Sequence, residues 1–284
     1  MRRRRRKWKS ALGWGLAWLA FALVLFGLVD LVGSVMWEGI RSFRFSMLFE
    51  PTQGIAGGLE NAILGTFELV FIGVVFAAPL GILGGIFTSE FAPPRLAAAI
   101  RFVAEVLSGV PSIVIGYFGY LLLVLRFHWG FSALAGGVAL TLIMLPYILR
   151  TTDTSLQQVP LLQREAAWAL GMTRTQAILK RVWRPAASGM ATGLLLAIAI
   201  GLGETAPLLY TAGWNSNNPS LALTHSQVGY LTYVAYTYLD EPYAQARQLA
   251  YAAGFVLLML ILIIQLVVRL VVWRSSARGG RSAA

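Results

Sequence analysis

The chain of 284 residues contains no cysteine and few charged residues. The missing cysteine excludes disulfides, thiolate metal sites and cysteine nucleophiles. Asp, Glu, Lys and Arg make up only 12% of the residues, whereas a soluble domain carries roughly 25%. Because so few charges cannot cover a surface that faces water, and because 57% of the residues are hydrophobic, the composition predicts an integral membrane protein.

Lysine is especially scarce, and its positions exclude a P-loop nucleotide site. A P-loop requires Gly-Lys before Ser or Thr, whereas Lys7, Lys9 and Lys180 follow Arg, Trp and Leu. The sequence also lacks a metal-ligand cluster and the spacing of a catalytic triad, and His128 and His225 stand isolated. We therefore expect no catalytic residue, metal or cofactor in this chain, and we expect any ATP to be bound by a partner subunit.

Six apolar segments are long enough to cross a bilayer, which requires about 20 helical residues. The sequence therefore predicts an all-α integral membrane protein with six transmembrane helices. A basic tail (1–10) and a first span (11–32) precede a main membrane domain (62–272). The predicted spans are Ala11–Val32, Ala62–Phe87, Val106–Leu125, Gly130–Leu149, Gly189–Ala212 and Leu249–Val272.

The distribution of Lys and Arg predicts the orientation of these spans. With the basic tail in the cytoplasm, 19 of the 23 Lys and Arg residues lie on the cytoplasmic side, and the rest (Arg41, Arg44, Arg126 and Arg247) lie outside. This bias follows the positive-inside rule and places both termini in the cytoplasm. The tail is expected to contact anionic membrane lipid. Nucleic acid is not an expected partner, because no basic soluble domain with aromatic platforms is present.

One further segment, Leu221–Leu239, also lacks Asp, Glu, Lys and Arg. As a seventh span it would move the arginine-rich carboxyl tail outside. Its polar first half and its four tyrosines are instead typical of the membrane–water interface. We therefore place it in an extracytoplasmic loop (213–247), as a helix that lies at the surface or dips into it.

The cytoplasmic loop between the fourth and fifth predicted spans (150–188) contains the sequence QREAAWALGMTR at 163–174. Helical spacing places a flat, weakly apolar set of residues on one side, and Gly171 is expected to end or bend the helix. That set comprises Leu162, Ala166, Leu170 and Thr173. A second short helix with a basic rim is predicted to follow, before Pro185. The residues alone leave two interpretations open, a linker on the membrane surface and a docking element for a cytoplasmic protein.

The segment EAAWALG at Glu165–Gly171 resembles the EAA loop of ABC importer permeases. In that family the loop forms the coupling helix, which seats in a cleft of the ATP-hydrolysing subunit. The resemblance therefore implies an ATPase-coupling role for Glu165, Ala166, Ala167 and Gly171. The family pattern closes with Leu-Pro, whereas this chain has Trp183-Arg184-Pro185, with the proline one position late.

Three more segments resemble the phosphate importer permeases in order and spacing. They are SGVPSIVIG (Ser108–Gly116), LPYILRTTD (Leu145–Asp153) and GETAPLL (Gly203–Leu209). The resemblance implies a type I ABC importer permease (MetI-like) fold in the bacterial cytoplasmic membrane, with the chain forming half of a heterodimeric phosphate pore. The implied partners are a PstC-like sister permease, two copies of a PstB-like ATPase and an extracytoplasmic phosphate-binding protein.

Arg150, Glu204 and Thr205 lie in these segments and are candidates for the translocation path or for contacts between the pore halves. A carboxylate inside the membrane costs about 2.5–3.5 kcal/mol, so Glu204 is expected to face the bundle, a partner or water. A structural carboxyl and a path residue both remain open. Arg150 offers a planar fork that suits phosphate oxygens, but an anchor at the membrane surface explains it equally. Many relatives carry an arginine where this chain has Ile200, so either the partner permease supplies that cation or the substrate differs.

Three other functions stay open at this point. A permease for a different oxyanion would share every feature above. A self-sufficient channel would conduct without an ATPase or a binding protein. A membrane enzyme is disfavoured, because the sequence contains no catalytic cluster.

Overall fold

The computed structural model describes residues 2–220 and 222–279, and these residues are mostly helical. Three residues that entered the predictions lie outside the described residues. They are Met1 of the basic tail, Leu221 of the segment placed at the membrane interface, and Arg281, which was counted among the 19 cytoplasmic Lys and Arg residues. Two short strands, β1 (Thr52–Gln53) and β2 (Ala56–Gly57), pair antiparallel between the first two helices. The α-helices are α1 (Arg2–Ser42), α2 (Glu60–Ile86), α3 (Pro94–Gly109), α4 (Ser112–Gly119), α5 (Ala133–Gln157), α6 (Leu161–Ala169), α7 (Arg174–Ala177), α8 (Trp183–Gly203), α9 (Ala206–Thr211), α10 (Leu231–Thr237) and α11 (Ala244–Gly279).

Within the described residues, five helical stretches are long and apolar enough to cross a membrane, and a bent helix pair adds a sixth if it counts as one span. The prediction of an all-helical membrane protein is therefore confirmed. π-helical turns extend α2 through Phe87–Phe91, extend α4 through Tyr120–Arg126, and join α7 to α8 through Ile178–Val182. The five stretches are Leu12–Ser42, Glu60–Phe91, Ala133–Gln157, Arg174–Gly203 and Ala244–Val267.

The third predicted span, Val106–Leu125, does not coincide with one helix. The chain instead bends by 94° between Pro94–Gly109 and Ser112–Arg126. Val110 and Pro111 lie at the bend, with ψ angles of 129° and 131°. The bend has a local cause, because proline lacks a backbone N–H and disfavours the helical conformation of the residue before it.

The fifth predicted span, Gly189–Ala212, also differs from the structure. Its helix α8 ends at Gly203, and α9 begins at Ala206 after a two-residue break. At its other end the helical stretch begins earlier than predicted, at Arg174. Pro185, which was expected to lie between two helices, instead lies within this helical stretch, shortly after the π-helical turn Ile178–Val182. Proline cannot donate a backbone hydrogen bond inside a helix, so the regular α-helical pattern is interrupted next to it.

Helix α5 lies at the centre of the bundle, where glycines of its neighbours approach it closely. A Cβ added at Gly193 of α8 would lie 1.8 Å from Thr151 Oγ1, and one at Gly85 of α2 would lie 2.6 Å from Thr152 Cβ. Such contacts leave no room for a side chain. Small residues allow helices to pack at short distance within a membrane, so α2, α5 and α8 form a tight core around which the other helices pack.

Helix α1 stands largely apart from this core. In the most hydrophobic part of α1, no side chain is buried against the rest of the chain. Contact begins near its carboxyl end, where a Cβ added at Gly39 would lie 2.5 Å from Phe255 Cβ of α11. The apolar side chains of α1 therefore require cover from lipid or from another protein.

The segment predicted to lie at the membrane interface contains α10, a helix of only 7 residues. This length is too short to span a bilayer. Leu231 and Val234 of α10 are buried in a cluster with Leu59 and Leu249, and the Leu231 amide donates to Thr66 Oγ1 at 2.9 Å. The segment thus packs into the end of the bundle where α2 begins, and it does not add a span.

Candidate functional site

The helix α6 contains most of the EAA-like segment and has well-defined ends. Pro160 precedes it in an extended conformation. At its carboxyl end Gly171 adopts a φ of +73°, which favours glycine over other residues. The Met172 amide donates to the Ala167 carbonyl at 3.1 Å, and the Gly171 amide donates to the Trp168 carbonyl at 2.9 Å. These two bonds form a Schellman motif, so the predicted role of Gly171 as a helix terminator is confirmed.

A second cap fixes the chain that follows α6. The Thr173 hydroxyl accepts from the Gln176 amide at 3.3 Å, and the Gln176 side chain accepts from the Thr173 amide at 3.1 Å. This reciprocal capping box begins α7. These caps join α6 and α7 as a helix–turn–helix, so the predicted turn in this loop is confirmed. The second helix does not end before Pro185 as predicted, because α7 continues through the π-helical turn into α8.

The two faces of α6 differ sharply in exposure. Ala167 is buried, with 2% of its surface exposed, whereas Leu162 is 74% exposed. Glu165 and Ala166 are exposed as well. The third residue of the Glu-Ala-Ala triplet therefore holds the helix against the bundle, while the first two point outward. The outward face combines flat alanines with exposed leucines, which is a composition suited to docking by another protein.

A second group of predicted site residues lies at the break between α8 and α9. Glu204 and Thr205 are half-buried there. The Glu204 carbonyl accepts from the Thr232 hydroxyl at 2.7 Å, and the Ser112 side chain at the start of α4 lies beside the Glu204 carboxylate. A Cβ added at Gly116 of α4 would lie 2.5 Å from Pro207 Cα of α9. The SGVPSIVIG and GETAPLL segments, far apart in sequence, thus pack directly against each other.

Arg150 is not part of this group. Its guanidinium Nη1 lies 3.9 Å from Glu105 Oε1 of α3, and both side chains are exposed. An exposed pair at this distance contributes little to stability. Ile200 lies one turn before Glu204 in α8 and is half-buried, so α8 presents an apolar side chain at the place where the resemblance implies a cation.

Sequence reasoning missed two buried acidic residues near the α6 end of the bundle. Asp153 of α5 accepts from Arg101 Nε of α3 at 2.7 Å. Glu90, in the π-helical turn after α2, pairs with Arg164 of α6. Both partners are distant in the sequence, and neither acidic residue has a local pattern that marks it as buried. Such pairs become visible only when the helices are assembled.

A family comparison agrees with the pattern of membrane spans. Residues 79–276 match the model of a family described as "binding-protein-dependent transport system inner membrane component". The chain belongs to this family. It is therefore a multi-pass inner-membrane permease subunit, and its transport activity depends on a binding protein and on a partner ATPase that binds ATP.

Known relatives of this permease align over nearly its whole length. The phosphate transport system permease protein PstA 2 of Mycobacterium bovis is 42% identical over 274 residues, which cover 96% of this chain and 91% of that protein. The phosphate transport system permease protein PstA of Haemophilus influenzae is 35% identical and covers 93% of this chain and 94% of its own length.

A solved structure of the MetNI methionine ABC transporter in an inward-facing conformation confirms the expected MetI-like fold of the permease. It superposes with a TM-score of 0.60 at 19% identity and covers 82% of this chain and 99% of the matched chain. At this level of identity the likeness concerns the fold alone.

Proposed function

We propose that this permease forms half of a pore that imports inorganic phosphate, driven by ATP hydrolysis in a partner ATPase. The observation that carries the proposal is the 42% identity, over 96% of the chain, to a protein named a phosphate transport permease. The physical chemistry of the chain is compatible with this substrate but does not select it among oxyanions. The substrate assignment therefore depends on the relatives.

In this proposal the α6 end of the bundle and both termini face the cytoplasm. The support is the charge bias, because 19 of 23 Lys and Arg residues then lie inside. The partners are a PstC-like permease, two copies of a PstB-like ATPase and an extracytoplasmic phosphate-binding protein. The exposed outward face of α6 supplies a surface on which the ATPase can dock.

Glu165, Ala166, Ala167 and Gly171 are the proposed coupling residues. Closure of the two ATPases around ATP displaces α6, and the displacement rocks the spans between outward-open and inward-open forms. Since this permease has no nucleotide site of its own, α6 is the element through which the energy of hydrolysis reaches the membrane. Glu165 and Ala166 contact the ATPase in this arrangement, while Ala167 and Gly171 maintain the shape of the helix.

Glu204 and Thr205 are proposed to line the contact between the two pore halves, close to the phosphate path. A bare carboxylate repels phosphate, so Glu204 requires a cation beside it. Ile200 cannot supply that cation, and Arg150 pairs with Glu105. The sister permease is therefore the proposed source. Arg150 remains a candidate phosphate contact, about two turns before the proposed cytoplasmic end of α5, where it is exposed.

The substitution Glu204→Gln is expected to lower phosphate uptake at least about tenfold, which corresponds to ~1.4 kcal/mol. The amide keeps the size of the side chain, but it leaves the cation of the sister permease without its counter-charge. Uptake of labelled phosphate by the reconstituted importer measures the effect. The matched control is Thr232→Val, which removes only the hydrogen bond to the Glu204 carbonyl and should change uptake less. Normal uptake by the glutamine variant would exclude a charge-dependent role for Glu204.

The substrate itself is tested by competition. The complete importer, reconstituted with its ATPase and binding protein, should take up labelled phosphate, and unlabelled sulfate or molybdate in excess should not reduce the rate. Preferential uptake of either competitor would identify a permease for a different oxyanion. Phosphate flux through the two permease subunits without ATPase, binding protein or ATP would identify a channel, and it would contradict the proposed mechanism.

A further inference from the structure

The inward face of α6 carries a buried ionic contact that no sequence motif accounts for. Arg164 Nη1 pairs with Glu90 Oε2, and Arg164 Nη2 donates to the Leu156 carbonyl at 2.7 Å. The exposed fractions of the side chains are 14% for Arg164 and 4% for Glu90. One guanidinium thus joins three elements, namely α6, the π-helical turn after α2 and the last turn of α5.

The acidic partner is itself fixed in position. The second carboxylate oxygen of Glu90, Oε1, accepts from the Ser89 hydroxyl at 3.1 Å. The neighbouring Thr88 hydroxyl donates to the Gly84 carbonyl at 2.7 Å and ties the π-helical turn to α2. Leu156 is fully buried, in a small cluster with Val159 and Val182. Both ends of the Arg164 contact are therefore anchored in packed parts of the bundle.

The other inward contact of α6, made by Ala167, is apolar and resists displacement less than an ion pair does. Ala167 is buried, but a methyl group only fills space and can slide against its neighbours. A buried guanidinium–carboxylate pair is directional, and separating its members leaves a charge unpaired in a poorly solvated site. When α6 is displaced, the pair resists separation more strongly than the apolar contact does.

We propose that the Arg164–Glu90 pair is the link that transmits movement of α6 to α2 and α5. Both residues are positioning residues and contact neither substrate nor nucleotide. The inference rests on the proposed function, in which α6 receives its movement from the ATPase. It goes further by naming the connection between the docking helix and the spans, at a side chain that faces away from the ATPase.

The experiment measures phosphate uptake per ATP hydrolysed by the complete importer with Arg164→Gln, Glu90→Gln and both together. ATPase binding and ATP hydrolysis should remain within about threefold of the unmodified complex, because the outward face of α6 is intact. Uptake per ATP should fall at least tenfold in each single variant. The double variant should lose no more than either single variant, because residues that act as one unit show non-additive effects. Additive losses, or normal uptake per ATP in the single variants, would overturn the proposal.

Two further variants separate this link from general stability. Arg164→Lys keeps the charge but loses the two-pronged geometry. Its uptake per ATP is therefore expected to lie between the value for the unmodified importer and the value for Arg164→Gln. This holds even where the glutamine variants assemble poorly. Uptake per ATP equal to that of the unmodified complex would contradict the link. Arg101→Gln is the matched control, because it breaks an arginine–carboxylate pair between α3 and α5 that does not touch α6, and it should leave uptake per ATP unchanged.

One more variant distinguishes a failure of the proposed Arg164–Glu90 link from a failure of the proposed function. The substitution Ala166→Arg, on the outward face, tests ATPase docking without touching the pair. If that variant loses ATPase binding while the Arg164 and Glu90 variants keep normal uptake per ATP, only the proposed link is wrong. If Ala166→Arg leaves docking and uptake unchanged, the coupling role of α6 is wrong.

Discussion

The substitution Ala166→Arg is expected to reduce phosphate uptake by about 30-fold or more, because it places a long charged side chain on the outward face of α6. Ala166 is exposed, so the new side chain does not disturb the packing of the permease. It does prevent close approach of the ATPase, and loss of an interface hot spot costs about 2 kcal/mol or more. Co-purification of the ATPase with the permease measures the loss of docking, and uptake of labelled phosphate measures the loss of transport.

A matched control exists at the opposite end of the bundle. Ala244, the first residue of α11, is also exposed. Ala244→Arg introduces the same side chain at a distance from α6, and the ATPase should co-purify with this variant as with the unmodified chain. The amount of permease inserted in the membrane should be equal for both variants. Retention of the ATPase by Ala166→Arg would show that the outward face of α6 is not the docking surface.

The second large effect is expected from Gly116→Ala, at the contact between α4 and α9. A Cβ at this position would lie 2.5 Å from Pro207 Cα, and a backbone atom cannot rotate away. Overpacking of this kind costs about 1–3 kcal/mol, and relief requires α4 to separate from the segment that follows Glu204. We expect phosphate uptake to fall about tenfold or more, because the pore-half contact is displaced. The heat stability of the purified complex should fall as well.

Gly109 provides the control for this substitution. It ends α3 within the same bent pair, and a Cβ added there would meet nothing within 4 Å. Gly109→Ala should therefore leave uptake and heat stability nearly unchanged. Equal effects of the two substitutions would mean that the close approach of α4 and α9 does not matter for transport.

The positions of the spans were largely predictable, whereas the bends were not. Long apolar runs predict membrane helices because each backbone polar group must be satisfied within the bilayer. Proline does not identify the breaks, since Pro79 and Pro146 lie inside α2 and α5 without ending them. Pro111 does coincide with a bend of 94°. Whether a helix continues through a proline depends on how the neighbouring helices pack around it. That packing cannot be read from a single segment of the sequence.

In the candidate site, too, local features could be predicted from the sequence, whereas contacts between distant residues could not. The exposed face of α6 and its end at Gly171 follow from local spacing and backbone preference, so both were predicted. The Arg164–Glu90 pair joins residues 74 positions apart, and no local pattern connects them. The predicted fifth span ran through the break at Glu204, and the contact of this break with α4 depends on two distant segments meeting.

The central claim is that α6 contacts the ATPase on the cytoplasmic side, and the chain offers a direct measurement of it. Since the sequence contains no cysteine, Leu162→Cys introduces a unique thiol on the outward face of α6. A thiol-reactive photo-crosslinker on this residue should join the permease to the ATPase, whereas the same reagent at Ala244→Cys should not. A crosslink at Leu162→Cys to the ATPase is the predicted result. Labelling of that thiol by a membrane-impermeant reagent added outside intact cells, or a crosslinked complex without the ATPase, would contradict the account.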